Sequence, residues 1–142
     1  MSTKIGLRLM LVDPDDDLRF LLKALLELTG CRVDTAKNCC EALASIQASP
    51  PDVIFTELFL DDGTGLDFGK RIRALPGAKD AMLVALTGHY YHGIARDAWT
   101  AGFDRFLLKP VQYDQILDVL TCVAKKRTCH PGELGDALKA AA

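Results

Sequence analysis

The segment DVIFTELFLDDGTG, residues 52–65, decides how this chain folds. Val53, Ile54 and Phe55 form an apolar run too short for a buried helix and suited to a strand covered on both faces. The run leads into a loop rich in turn-forming residues, Asp61-Asp62-Gly63-Thr64-Gly65. Glu57 stands at the carboxyl end of the strand. In an open α/β sheet, that edge is where ligands and chemistry collect.

Upstream, Pro50-Pro51 closes a helix that Asn38 caps. Glu41 follows three residues on as a capping box, and Ala42, Leu43 and Ile46 form the inner stripe. Arg32–Ala36 reads as a short strand. Before it, LRLMLVD (Leu7–Asp13) reads as a strand buried on both faces. Pro14, Asp15, Asp16 and Asp17 then open a helix, since proline suits the first turn and acids suit that end of the helix dipole. Leu18, Leu21, Leu22, Leu25, Leu26 and Leu28 recur at helical spacing until Gly30 stops the helix.

Downstream, a helix runs from about Leu66 to Leu75 and is closed by Pro76-Gly77. AMLVALT (Ala81–Thr87) is another buried strand, and Gly88 with HYYHG forms a loop. A helix over Ile94–Ala101 ends at Gly102. Asp104–Leu108 is the last strand, and Lys109-Pro110 follows it. Tyr113–Ala124 is the last helix, with Ile116, Leu117, Val119, Leu120 and Val123 inward. Five strands thus alternate with five helices over short connections, which predicts a doubly wound α/β domain with a parallel sheet. Right-handed crossovers bring the ends of the first, third, fourth and fifth strands to one rim.

The bulk properties narrow the function classes. The chain has 142 residues, enough for one domain with a core and too few for two. It is 49% apolar and 25% charged with a net charge of −2, so no overall field draws nucleic acid or an anionic membrane. No apolar run reaches the roughly 18 residues of a membrane span. MSTKIGLR lacks the apolar core of a secretory signal. The five cysteines, including the adjacent Cys39-Cys40, lack C-x-x-C spacing and read as reduced thiols. The chain is therefore expected in the cytoplasm. The domain is expected over residues 5–126, with a tail over 127–142 that is partly disordered or carries a short helix.

Four polar residues fall at strand ends on the predicted rim: Asp13, Glu57, Thr87 and Lys109. Singly, each has a plain reading as a cap, a turn or a surface charge. Together, they make a charge-paired polar site. The stretches LMLVDPDDD, DVIFTELFLDDGTG, ALTG and AGFDRFLLKP resemble, in order and spacing, the receiver domain of bacterial two-component response regulators. The similarity covers about Leu7 to Val123. It implies a flavodoxin-like five-stranded parallel sheet in the order 2-1-3-4-5 with five helices. In such domains two acids after the first strand and an aspartate after the third hold Mg²⁺, and that aspartate accepts a phosphoryl group from a histidine kinase. The resemblance assigns Thr87 and Lys109 to the phosphoryl oxygens, a cis bond to Lys109-Pro110 that aims the lysine inward, and the switching aromatic to Phe106. It implies a signalling domain, not an enzyme.

The chain departs from that pattern at Pro14, which stands where a second metal acid is expected, and at Glu57, which stands where the phosphoacceptor is expected. The proline of the third-strand loop is missing too, and Asp61-Asp62 lies there. A glutamate carboxylate lies one C–C bond, about 1.5 Å, further out than an aspartate's. A misplacement of ~1 Å can cost in-line phosphoryl transfer on the order of a hundredfold. The longer carboxylate reaches instead toward Lys109, and is expected to accept from Thr87. With Pro14 in place of an acid, Asp13 is left with Glu57 and a carbonyl near Phe59 as metal donors, so Mg²⁺ binding is expected to be weak or absent. Asp15 and Asp16 are expected to face water at the helix start.

These departures predict a pseudo-receiver that acts by contact, with no cofactor. The alternative is a working Mg²⁺-dependent phosphoacceptor that recruits Asp16, Asp61 or Asp62. The absence of G-x-G-x-x-G or a Walker A loop ranks a nucleotide-binding enzyme low. Expected partners are proteins: a histidine kinase, a phosphotransfer protein or an effector, and a second copy in a homodimer. Tyr90, Tyr91 and His92 are the expected contact face, beside Thr87. Trp99 is expected to pack its helix against the sheet or sit at its edge.

Overall fold

The structure, a computed structural model, describes residues 5–125. The tail expected over 127–142 lies outside the described residues. In chain order the elements are β1 (Arg8–Val12), α1 (Asp16–Glu27), β2 (Arg32–Ala36), α2 (Cys39–Ala48), β3 (Val53–Thr56), β4 (Phe59–Leu60), β5 (Gly63–Thr64), α3 (Gly65–Ala74), β6 (Met82–Thr87), α4 (Ile94–Thr100), β7 (Arg105–Leu108) and α5 (Tyr113–Ala124).

The main sheet has the order β2-β1-β3-β6-β7, and every pair in it is parallel. Counting only its own five strands, this is 2-1-3-4-5, as the resemblance implies. Strand alternation divides the core in two. Met10, Val12 and Ile54 face α2, α3 and α4, where they meet Ile46, Phe68, Ile72 and Ala98. Leu9, Leu11 and Phe55 face α1 and α5, where they meet Leu22, Leu26, Ile116 and Leu120. The central strand β3 is buried throughout, which explains its unbroken apolar run.

Gly65 lets the start of α3 close against the end of β3. A Cβ there would stand 2.6 Å from Leu58 Cα and 2.7 Å from the Glu57 carbonyl oxygen, closer than atoms pack. The loop ending in this glycine therefore holds the segment around Glu57 against the helix. At the other rim, the Arg73 guanidinium gathers the carbonyls of Gly102, Lys79 and Ala81 and the carboxylate of Asp104. It ties α3 to the beginnings of β6 and β7.

Three local expectations need correction. Residues 59–64, read as loop, contain the antiparallel hairpin β4–β5, with Phe59 opposite Thr64. Asp61-Asp62 make its turn, and Gly63 takes the positive φ of 151°. Pro14 lies outside α1: Asp15 is the N-cap, its carboxylate accepting from Leu18 N, so the proline precedes the helix and is not in its first turn. Leu21 and Leu28, part of the α1 apolar pattern, are exposed, because the face toward the sheet is filled by Leu22 and Leu26. Trp99, 40% exposed, takes the second of its two expected places, at the edge, because Ile94, Ala95 and Ala98 already supply the buried face of α4.

Candidate functional site

The rim residues converge because the strands end in register. Val12 pairs with Thr56, and Thr87 pairs with Leu108, so Asp13, Glu57 and Lys109 each occupy the first position past a strand. The ladder continues through them. Asp13 N donates to Ala36 O, Glu57 N to Val12 O, and Lys109 N to Thr87 O. Their backbones are thus fixed before any side chain acts.

Lys109 reaches under the rim and binds both acids. Its Nζ lies 2.6 Å from Asp13 Oδ2 and 2.7 Å from Glu57 Oε2. Asp13 is 1% exposed and Glu57 5% exposed. Burial pulls the lysine pKa down, but the hydrogen bonds it donates to Asp13 and Glu57 and their charges outweigh it, and the ammonium is held above its ordinary value. The remaining carboxylate oxygens are also engaged. Asp13 Oδ1 accepts from Asp15 N at 2.9 Å, and Glu57 Oε1 accepts from Leu58 N at 2.9 Å and Phe59 N at 3.4 Å. The result is a buried, two-acid, one-base cluster whose polar atoms are paired within the chain.

Thr87 is fully buried at the same rim. The expected bond from Thr87 to Glu57 is not the one formed: its hydroxyl accepts from His89 N at 3.1 Å, while Glu57 turns to Lys109 and its own loop. The Lys109-Pro110 peptide is cis, as the resemblance implies. Phe106 is 7% exposed and packs in the cluster shared with Ile94 and Ala95.

The residues after β6 face outward. Tyr90 is 56% exposed, and His92 is exposed beside it. Tyr91 is 40% exposed and donates its hydroxyl to Asp97 Oδ2 at 2.9 Å; partial desolvation and that bond raise its pKa. Trp99, Leu108 and Tyr113 add exposed apolar surface from α4, β7 and α5.

The donors at this rim do not suit a Mg²⁺ ion. Such an ion needs carboxylate oxygens free to face it in near-octahedral geometry. Here Asp13 and Glu57 share one ammonium, and Pro14 brings no oxygen from its side chain. Three of the nearby acids are engaged elsewhere. Asp15 caps α1, Asp16 pairs with Arg19, and Asp62 accepts from the amides of Cys39 and Cys40 at 2.9 and 3.0 Å. Those amides hold the Asp62 carboxyl below its usual range. Cys39 is buried, and burial followed by the Asp62 charge lifts its thiol to about 11, so it is unreactive at neutral pH. Among the described residues no group of three or more His, Cys, Asp or Glu could hold a metal.

Three contacts were beyond the sequence. Asp62 caps α2 from across 22 residues of chain, which no local pattern encodes. The Arg19 guanidinium donates to the Asp13 carbonyl at 2.7 Å and steadies the acid's backbone. The Phe59 and His89 rings meet edge to face at 4.9 Å, bridging the loops after β3 and β6.

Comparison with known proteins agrees with the fold. The sequence profile of the response regulator receiver domain matches residues 9–121. The chain is 31% identical over 111 residues to an uncharacterized 14.6 kDa protein from the sodA1 3′ region of Leptolyngbya boryana, covering 78% of this chain and 85% of that one. It is 35% identical over 109 residues to the acid tolerance regulatory protein ActR of Rhizobium meliloti, covering 75% of this chain. It spans 55% of the length of that regulator. Among solved structures, a two-component response regulator from Clostridium difficile superposes with a TM-score of 0.79 at 28% identity, covering 86% of this chain and 98% of that one.

Proposed function

The chain belongs to the response regulator receiver domain family, and on that premise we propose that it is a pseudo-receiver of two-component signalling, a module that binds its partner without a phosphorylation step. The observation that carries this reading is the Lys109 ammonium clasped between Asp13 and Glu57. The lysine that the resemblance assigns to phosphoryl oxygens already has a carboxylate partner from the phosphoacceptor position. Glu57 supplies there, permanently, part of the negative charge that a phosphoryl group would bring. The burial of Phe106 supports the same reading, since an inward aromatic is what the resemblance associates with the switched state.

In this reading Mg²⁺ binds weakly or not at all, the chain catalyses nothing, and its output is a surface. The alternative of a rearranged phosphoacceptor site narrows to Asp61, because Asp16 and Asp62 are held by Arg19 and by the α2 amides. We place the contact face along Tyr90, Tyr91 and His92, continued by Trp99 and Tyr113, and the partner among kinase, phosphotransfer or effector proteins in the cytoplasm. Exposed aromatics are favoured at protein interfaces over charged side chains. Following backbone amide shifts during a Mg²⁺ titration tests the reading. Amides of Asp13, Glu57 and Phe59 stay unmoved at millimolar ion, whereas saturable shifts at these three would overturn it.

A further inference from the structure

Helix α1 leaves a stripe of apolar side chains bare. Phe20 is 73% exposed, Leu21 63% and Leu28 77%, and Ala24 between them is exposed too. At 3.6 residues per turn these four positions fall within about 100° of arc, away from Leu22 and Leu26 on the buried side. Scattered surface leucines are ordinary, but a contiguous apolar patch marks a contact site.

The pattern is complementary to itself. Ala24 lies at its centre, with Phe20 one turn before and Leu28 one turn after. Two copies of α1 laid antiparallel about a two-fold axis at Ala24 set Phe20 of each against Leu28 of the other, and the small alanine lets the helices approach. Lys23 and Glu27 lie along one edge of the stripe. The two-fold axis places that edge beside its own copy, so Lys23 of each chain meets Glu27 of the other with an offset of about 3 Å along the helix. Within one chain, Lys23 and Glu27 form no ion pair among the described residues. Lysine preceding glutamate by four is also the poorer order for a pair inside a helix.

We propose that a second copy of this chain docks on α1, through Phe20, Leu21, Ala24 and Leu28, with two symmetric Lys23–Glu27 pairs. Since α1 covers the opposite face of the sheet from α4, the pairing leaves Tyr90, Tyr91 and Trp99 open to a different partner. One helix per copy makes a small interface, in the transient class below about 1,200 Å², so the dimer is concentration-dependent.

Sedimentation velocity of the full chain over a wide concentration range tests this. The unaltered chain shifts from monomer to dimer as concentration rises, and the variant carrying Phe20→Ser and Leu28→Ser stays monomeric. Those side chains are exposed, and an unchanged circular dichroism spectrum confirms that the fold survives. Lys23→Glu or Glu27→Lys alone weakens the dimer about fivefold, and the two together restore it. An unaltered chain that remains monomeric throughout would overturn the proposal. So would a dimer indifferent to Phe20→Ser and Leu28→Ser but lost in Trp99→Ala, or a double charge reversal no tighter than either single one.

Discussion

Lys109 Nζ lies 2.7 Å from Glu57 Oε2, and the glutamate is 5% exposed. The contact joins the end of β3 to the end of β7 across β6, and Asp13 completes it from β1. A buried pair of this kind need not stabilise the fold relative to apolar residues, but removing one member leaves charge without a partner.

Lys109→Met therefore strands two buried carboxylates. Urea unfolding near neutral pH is expected to show a loss of about 3–5 kcal/mol. Glu57→Gln, which keeps the shape and leaves Asp13 on the lysine, is expected to lose less.

The same ammonium sets a pH dependence. Its pKa is raised in the folded state, so its stabilising contribution is complete below the ordinary lysine pKa and is lost as pH rises through the raised one. Unfolding free energies measured between about pH 9 and 12 are expected to fall more steeply for the unaltered chain than for Lys109→Met.

Gly65→Ala places a methyl 2.6 Å from Leu58 Cα, a backbone atom that cannot step aside. A loss of about 1–3 kcal/mol is expected, read by thermal or urea unfolding. Amide shifts at Glu57 and Leu58 are expected to report the displacement.

Arg73→Ala removes the donors on which Gly102 O, Ala81 O and the Asp104 carboxylate converge. The expected cost is about 2–3 kcal/mol, with faster hydrogen exchange at the starts of β6 and β7. An exchange pattern unchanged there would show that the guanidinium is not the tie.

The sheet was legible because its strands are unbroken apolar runs and its helices start and stop on caps, prolines and glycines. The convergence of Asp13, Glu57, Thr87 and Lys109 followed from where those strands end. What stayed hidden depended on contacts between distant residues or on competition for one buried face. The spacing of six leucines in α1 does not say which of them the sheet leaves bare, and Leu21 and Leu28 lost to Leu22 and Leu26. The engagement of Thr87 by His89 N was invisible because it depends on the path of the loop after β6. The capture of Asp62 by α2 was invisible because its partners lie more than twenty residues away.

The central claim, that the phosphoacceptor position cannot take a phosphoryl group, is tested most directly by the intact mass of the full chain after incubation with Mg²⁺ and acetyl phosphate. The expected result is an unmodified mass at every time point. A stoichiometric phosphoryl adduct mapped to Glu57 would contradict it.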